Sequence, residues 1–272
     1  MSEGLLEQHI ETWRQVVAEN VALLRELGPS DWELPTDLPG WNVRYVAAHM
    51  AHLESDLAGN PQQQVQVPAA PHVIGLMGQY TEGGPLARVD WTTDRIIEEL
   101  ETSAAKRHSD LQAMLPLDPK DTADGFAGLI GWNWGTLLSN RPVDQWMHQQ
   151  DIRRATGRPG GLESRGAQHV LAVFTKSLSY VLGKKAGAPA GTSVAVDVTG
   201  ANAVTLAAAV GDDGRGVLLP DAPADPTVRI SLDFEAFIIL SGGRRAASQV
   251  DFKLDGDETL GRAILDNLAV TP

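Results

Sequence analysis

The spacing of apolar residues changes partway along this chain of 272 residues. In the first part they recur every three or four positions, as in Leu6, Ile10, Trp13 and Val17, which is typical of amphipathic helices. From the segment 193–198 (SVAVDV) onward they alternate with a period of two, which is typical of strands. The pattern therefore predicts a helical part followed by a part that mixes strands and helices.

The first part is predicted to be a four-helix bundle. Its long helices are expected at Leu5–Leu27, Val43–Ala58, Thr93–Leu115 and Asn133–Thr156. The segment 59–90 has no sustained period and is predicted to be a long loop, with a short helix near Val73–Tyr80. Asp118–Gly131 is expected to be another loop. Pro142 either kinks the fourth helix or begins it, because proline fits the first turn best.

The second part is predicted to be a smaller α+β domain. A helix at Ser164–Leu182 precedes the strands, and short helices are expected at Asp233–Leu240 and Glu258–Leu268, with Asp233 and Asp257 as N-caps. The further strands are predicted at Val204–Val210, Val217–Leu219, Thr227–Leu232 and Gln249–Leu254. The fold class is therefore α+β with two domains, over 1–158 and 159–272.

Charge and composition exclude several classes of partner. The formal net charge of −13 disfavours a protein that binds phosphate backbones or anionic lipid heads, so nucleic acid is an unexpected partner. No apolar run approaches the roughly 18 residues that span a bilayer, and no basic segment precedes an apolar one at the N-terminus. We therefore expect a cytoplasmic protein without a membrane partner, and a monomer.

The chain contains no cysteine. This excludes disulfides, thiolate zinc clusters, iron–sulfur centres and a cysteine nucleophile. Any thiol chemistry would need a thiol supplied from outside.

The segment 141–159 (RPVDQWMHQQDIRRATGRP) carries the most informative polar pattern. At 3.6 residues per turn, Asp144, His148 and Asp151 lie within about 60° of one another on a helix face. A carboxylate and an imidazole four residues apart are a recurrent pair of metal ligands. His49, which lies among small and apolar residues in VAAHMAH, is the natural third ligand. Two histidines and one carboxylate would leave coordination positions open, as in catalytic zinc sites.

Other interpretations of these residues remain open. The pair Asp144 and His148 could form an ordinary hydrogen bond, and His49 and His52 could be one ligand and one exposed residue or two ordinary histidines. Asp151 could fix the tautomer of a ligand histidine or pair with a nearby arginine. Four tryptophans are expected to line the core or a cleft: Trp41, Trp132, Trp134 and Trp146.

Three segments together resemble the mycothiol-dependent maleylpyruvate isomerase family of actinobacteria. They are PGWNVRYVAAHMAHLES, RPVDQWMHQQDIRRATGRP and the C-terminal DFEAFIILSGGRRA with GDETLGRAILDNLAV. The resemblance spans nearly the whole chain. It implies a DinB-like four-helix bundle followed by a smaller α+β domain related to sterol carrier proteins.

The resemblance also implies a divalent metal, usually zinc, that is bound by His49, Asp144 and His148. Members of the family have glutamate where this chain has Asp144, which is shorter by one methylene and could shift, weaken or change the metal. Arg244, in a Gly-Arg-Arg turn, corresponds to an arginine that binds substrate carboxylates and is expected to be catalytic.

The function implied by the resemblance is that of a metal- and mycothiol-dependent enzyme. A metal-bound thiolate of mycothiol, a low-molecular-weight thiol, would isomerise an electrophilic small molecule or be transferred to it. The first activity is that of an isomerase and the second that of a thiol S-transferase. The alternatives are a non-enzymatic small-molecule or lipid-binding protein, or a family member whose site has degenerated.

Overall fold

A computed structural model of the chain describes residues 4–270, so that residues 1–3 and 271–272, at the outer ends of the two predicted domains, lie outside the described residues. The chain divides into two compact units, Met1–Pro159 and Gly160–Pro272. Between residues 4 and 270, no helix combines the length and the apolar character needed to cross a membrane.

The first unit is built on four long helices. Its helices are, in chain order, α1 (Leu5–Arg25), α2 (Val43–Leu57), α3 (Gly75–Leu86), α4 (Thr93–Met114), α5 (Gly125–Leu129) and α6 (Trp134–Thr156). Helix α1 packs against α4 and α6, and α2 packs against the same two helices. Apolar stripes at helical spacing meet in a common core that includes Ile10, Met50, Ile96, Leu100 and Ile152. The predicted bundle is therefore present, with α1, α2, α4 and α6 as its members.

The tripeptide Gly-Trp-Asn comes directly before both α2 and α6. In each case the asparagine is the N-cap: the side chain of Asn42 accepts from the Tyr45 amide, and that of Asn133 from the Thr136 amide. The glycines, Gly40 and Gly131, have φ values of 81° and 84°. The same local chemistry thus begins the two helices that carry the residues predicted to bind metal.

Two details of the first unit differ from the prediction, and a third rules out one of two alternatives. The segment 59–90 contains α3, a helix of three turns rather than a short one, and the expected loop Asp118–Gly131 contains α5. Helix α6 runs continuously from Trp134 through Pro142, so the helix does not begin at the proline. Because α3 contains glycines and a proline and buries few apolar side chains, its sequence carries no clear helical period.

The second unit contains a five-stranded sheet and three α-helices among its described residues, and a turn of π-helix, Val181–Lys185, follows the first of these helices. The strands and α-helices are α7 (Arg165–Tyr180), β1 (Ser193–Thr199), β2 (Val204–Val210), β3 (Gly216–Leu219), β4 (Val228–Asp233), α8 (Phe234–Ser241), β5 (Lys253–Gly256) and α9 (Glu258–Asp266). The strand order is β3-β2-β1-β4-β5, with β1 and β4 parallel and the other pairs antiparallel. The central strand β1 is buried on both faces at 194–196.

The last predicted strand is misplaced. The expected strand Gln249–Leu254 begins only at Lys253, because Ala247–Gln249 forms a 3-10 turn and the extended residues then pair with β4. Asp233 and Asp257 are confirmed as N-caps, since their side chains accept from the amides of Ala236 and Leu260. The mixed architecture of the second unit thus follows the predicted alternation of strand and helix patterns.

Candidate metal centre

Helices α2 and α6 bring three predicted residues together. His49 projects from α2, and Asp144 and His148 project from α6 one turn apart, so that one donor atom of each lies within 4.8 Å of the other two. The two helices pack against each other in the bundle. His49 and His148 are 2% and 7% exposed. The two imidazoles therefore lie where solvent has little access, and the Asp144 side chain between them is 20% exposed.

The distances within the group are those of atoms that face a common point. His49 Nε2 lies 3.7 Å and His148 Nε2 lies 3.6 Å from Asp144 Oδ1, which is too far for good hydrogen bonds. Two ligands about 2.1 Å from a tetrahedral zinc are about 3.4 Å apart. Two imidazole nitrogens and one carboxylate oxygen are also the donor types that zinc accepts. The residues present thus fit a divalent metal.

A carboxylate fixes the tautomer of His148. His148 Nδ1 lies 3.1 Å from Asp151 Oδ2, and because a carboxylate only accepts, this contact favours the tautomer of the imidazole that has its hydrogen on Nδ1 and its lone pair on Nε2. Asp151 is fully buried and its other oxygen accepts from Arg154 Nη2 at 2.6 Å. Arg154 in turn donates to Asp37 Oδ2 at 2.9 Å. Both interactions foreseen for Asp151, with a histidine and with an arginine, are therefore present.

The protonation states of the group suit a cation. Burial lowers the pKa of His49, which keeps its imidazole neutral, as a ligand must be. Burial raises the pKa of Asp144, but the charge of Arg141 and the contacts with the two histidines outweigh it and hold that pKa well below its usual range. Arg141 Nη1 lies 3.1 Å from Asp144 Oδ2. Asp144 is thus a carboxylate, and its second oxygen faces a guanidinium.

Behind Arg141 lies a buried cluster of charges that the sequence did not reveal. Glu54 is 0% exposed and accepts hydrogen bonds from Arg141, Arg107, Trp13 and Gln145. Burial would raise the pKa of Glu54, but the two arginines hold it below its usual value. Its four partners are 41 to 91 residues away in sequence. One feature of the sequence could have indicated that Glu54 is buried: it lies one helical turn after Met50, on the apolar face of α2.

Trp41 forms one wall of the candidate centre. Its ring lies 5.0 Å from that of His49 and 6.3 Å from that of His148, centroid to centroid. Its Nε1 donates to Glu82 Oε2 of α3 at 2.9 Å, and His72 Nε2 lies 3.5 Å from the same oxygen. The segment 59–90, which contains Glu82, is therefore attached to the residue that covers both histidines.

His52 lies outside the three-residue group. Its Nδ1 is 2.9 Å from Gln62 Oε1, and Arg88 Nη1 approaches the same nitrogen at 3.4 Å. Gln62 Nε2 donates to the Asn60 carbonyl, which turns Oε1 towards the imidazole. Burial, followed by the charge of Arg88, lowers the pKa of His52 to about 4. His52 is thus a buried, neutral histidine.

Arg244, the residue expected to be catalytic, belongs to the second unit. It follows the C-terminus of α8, and its Nη1 donates to the Gly242 carbonyl at 2.7 Å. This is the interaction with helix-terminal carbonyls that is common for such arginines. Its role in binding a substrate carboxylate stays a prediction.

Comparison with known proteins places the chain in a family. The sequence model of the mycothiol maleylpyruvate isomerase N-terminal domain matches residues 13–153, just over half of the chain and a range that includes all three candidate ligands. A comparison with curated proteins finds no match.

Two solved structures share the fold of the chain. They are crystal structures of the mycothiol-dependent maleylpyruvate isomerase and of a histidine-to-alanine mutant of it, each with a TM-score of 0.52 and 14% identity. The first covers 89% of this chain and 90% of its own, and the second 88% and 90%. At this identity the likeness concerns the fold, and it confirms the predicted fold class. The match of residues 13–153 shows that this protein belongs to the mycothiol maleylpyruvate isomerase family.

Proposed function

We propose that this protein is a metal- and mycothiol-dependent enzyme that isomerises an electrophilic small molecule or transfers a thiol to it. The observation that carries the proposal is the convergence of the nitrogens of two buried imidazoles on one carboxylate oxygen, at 3.6 and 3.7 Å. We assign His49, Asp144 and His148 as the metal ligands. Zinc is the proposed metal, because its structural chemistry matches these donors.

Three protein ligands leave a coordination position open. A bound divalent metal would lower the pKa of a thiol in that position, so that the reactive thiolate is present at neutral pH. His49 and His148 would supply nitrogen donors, and Asp151 favours the tautomer of His148 whose Nε2 lone pair faces the site. Trp41 covers the two imidazoles and excludes water from one side.

The sulfur must come from a separate molecule because the chain has no cysteine. The solved relatives are named as mycothiol-dependent, which supports mycothiol as the thiol here. Their name also supports maleylpyruvate as the first substrate to test. We further propose that Arg244, in the second unit, binds a carboxylate of the substrate, as the sequence resemblance implies.

The metal assignment is tested by elemental analysis of protein purified without a chelator or a polyhistidine tag. We expect about one zinc per chain in the wild type and its loss in His49→Ala and His148→Ala. His108→Ala, which removes a histidine of α4 outside the group, is the matched control and should keep the metal. A wild type that binds no metal even after incubation with zinc would favour a degenerate site or a non-enzymatic binding protein.

The activity is tested next with the zinc-loaded protein. We expect conversion of maleylpyruvate, or formation of a mycothiol adduct with another electrophile, only when mycothiol is present. Conversion at the same rate without a thiol would contradict the proposal. Binding of lipid probes by a metal-free variant as tightly as by the wild type, with no thiol-dependent activity in either, would instead support the carrier alternative.

A further inference from the structure

The two oxygens of Asp144 have different surroundings. Oδ1 faces both imidazoles, 3.7 Å from His49 Nε2 and 3.6 Å from His148 Nε2. Oδ2 faces Arg141 Nη1 at 3.1 Å, an ion pair between residues three apart on α6. The contact is an ion pair and not a hydrogen bond, since Oδ2 has no hydrogen-bond partner among the described residues. The positive charge beside Oδ2 nevertheless leaves Oδ1 as the oxygen that the carboxylate can offer to a metal.

Arg141 is itself held in place on its other side. Its Nη2 and Nε lie 2.7 and 3.3 Å from Glu54 Oε1, and its side chain is 4% exposed. Glu54 cannot move easily, since Trp13 Nε1, Arg107 Nη1 and Gln145 Nε2 also donate to it at 2.9 to 3.0 Å. The guanidinium is planar and rigid, so the position of Glu54 determines where Nη1 meets Asp144.

We propose that Arg141 is a positioning residue that holds Asp144 as a one-oxygen ligand, with Glu54 as its anchor. The inference rests on the proposed metal site. Aspartate has a short side chain and places its carboxylate close to the backbone of α6, so rotation about two bonds decides which oxygen faces the histidines. An ion pair on the far oxygen fixes that rotation before a metal binds.

A positioning role and a purely electrostatic role of Arg141 predict opposite changes in zinc affinity when Arg141 is removed. A positive charge next to a ligand repels a dication, so a purely electrostatic role would make metal binding tighter in its absence. A positioning role makes binding weaker, because the carboxylate loses its fixed orientation. The sign of the change in zinc affinity therefore distinguishes the two.

The experiment compares Arg141→Gln with Arg107→Gln in the full-length protein. Both changes remove one buried guanidinium from Glu54, but Arg107 has no contact with Asp144 among those that the described residues make, and so controls for damage to the cluster. Zinc affinity is measured by competition with a chromogenic chelator, and folding by circular dichroism and urea unfolding. We expect Arg141→Gln to lose about 10–100-fold in affinity. Arg107→Gln should keep the wild-type affinity.

Arg141→Lys is the second variant, and it tests the positioning role if Arg141→Gln does not fold. Lysine keeps the charge but lacks the fork that contacts Glu54 and Asp144 together, so we expect it also to bind zinc more weakly. Unchanged or tighter binding in the folded Arg141 variants, or equal losses in the Arg107 and Arg141 variants, would overturn the inference alone. A wild type without zinc affinity would overturn the proposed metal site and this inference with it.

Discussion

Asp151 is the residue whose single contact with His148 selects the imidazole tautomer. Replacing it by asparagine keeps the size but allows an amide N–H₂ to face Nδ1, which favours the tautomer with hydrogen on Nε2. We expect Asp151→Asn to weaken zinc binding by about 10–100-fold, measured by chelator competition. Asp37→Asn is the matched control, because it changes a carboxylate that accepts from Arg154, the other partner of Asp151. Equal affinity in the Asp151 variant and the wild type would contradict the role of Asp151.

His52 makes stability depend on pH in a predictable direction. Its pKa is about 4 in the folded protein, below the ordinary 6.5, so the unfolded chain takes up the proton first as pH falls. The contribution of neutral His52 to the free energy of unfolding is therefore complete above pH 6.5. It decreases as the pH falls towards 4, by up to about 1.4 kcal/mol per pH unit. Urea unfolding gives the free energy of unfolding of the wild type and of His52→Asn, and we expect the advantage of the wild type to decrease between pH 7 and 4.5. A difference in the free energy of unfolding that stays constant over this pH range would argue against a neutral His52.

At the scale of single residues, the sequence was sufficient to indicate the three candidate ligands but not the residues that hold them in place. The spacing of Asp144 and His148 and the apolar surroundings of His49 could be recognised because helix geometry alone places them. The contacts of Glu54 with Arg107 and Arg141 join positions 53 and 87 residues apart. Only the packing of α2, α4 and α6 brings such residues together, and no local pattern records it.

Helix α3 depends on a close approach to α2 that a glycine makes possible. A Cβ at Gly84 would lie 2.2 to 2.6 Å from ring and Cβ atoms of His52, whereas a Cβ at Gly83 would make ordinary contact with Val67 at 3.7 Å. Gly83→Ala should therefore stabilise the protein by about 0.5–1 kcal/mol through helix propensity alone. Gly84→Ala should destabilise it by about 1–3 kcal/mol through overpacking. Urea unfolding of both variants provides the measurement, and a stabilised Gly84→Ala would show that the helices separate readily.

The long helices could be predicted because their chemistry is local, whereas α3 was predicted only as a short helix near Val73–Tyr80 and α5 was expected to be a loop. Helices α2 and α6 begin at an asparagine cap and α6 ends at Gly157, which has a φ of 64°. Helix α3 has none of these signals: its N-cap is Ile74, and no side chain caps it. Its attachment comes from Trp41, which donates to Glu82, and from the stacking of Tyr80 on Phe126 at 3.8 Å. These tertiary contacts stabilise α3 although its own sequence has only a weak preference for helix.

At the scale of the whole molecule, the three residues of the candidate metal centre all belong to the first of the two units. All three candidate ligands and the Glu54 cluster lie within Met1–Pro159, which also has its own hydrophobic core. We therefore expect a fragment ending at Pro159 to fold, as judged by circular dichroism, and to bind zinc as tightly as the full chain. The same fragment with His148→Ala is its control. A folded fragment without zinc affinity would mean that residues beyond 159 complete the site.

The chain places nearly the whole candidate centre on one helix. Arg141, Asp144, His148 and Asp151 follow one another at intervals of three, four and three residues, within about 15 Å of α6, and the third candidate ligand, His49, comes from α2. This is the spacing of a heptad seam, filled with polar side chains instead of leucines. Such a stripe is transferable: a designer could graft it onto an unrelated antiparallel bundle, provided that a facing helix supplies one histidine and a carboxylate that anchors the arginine.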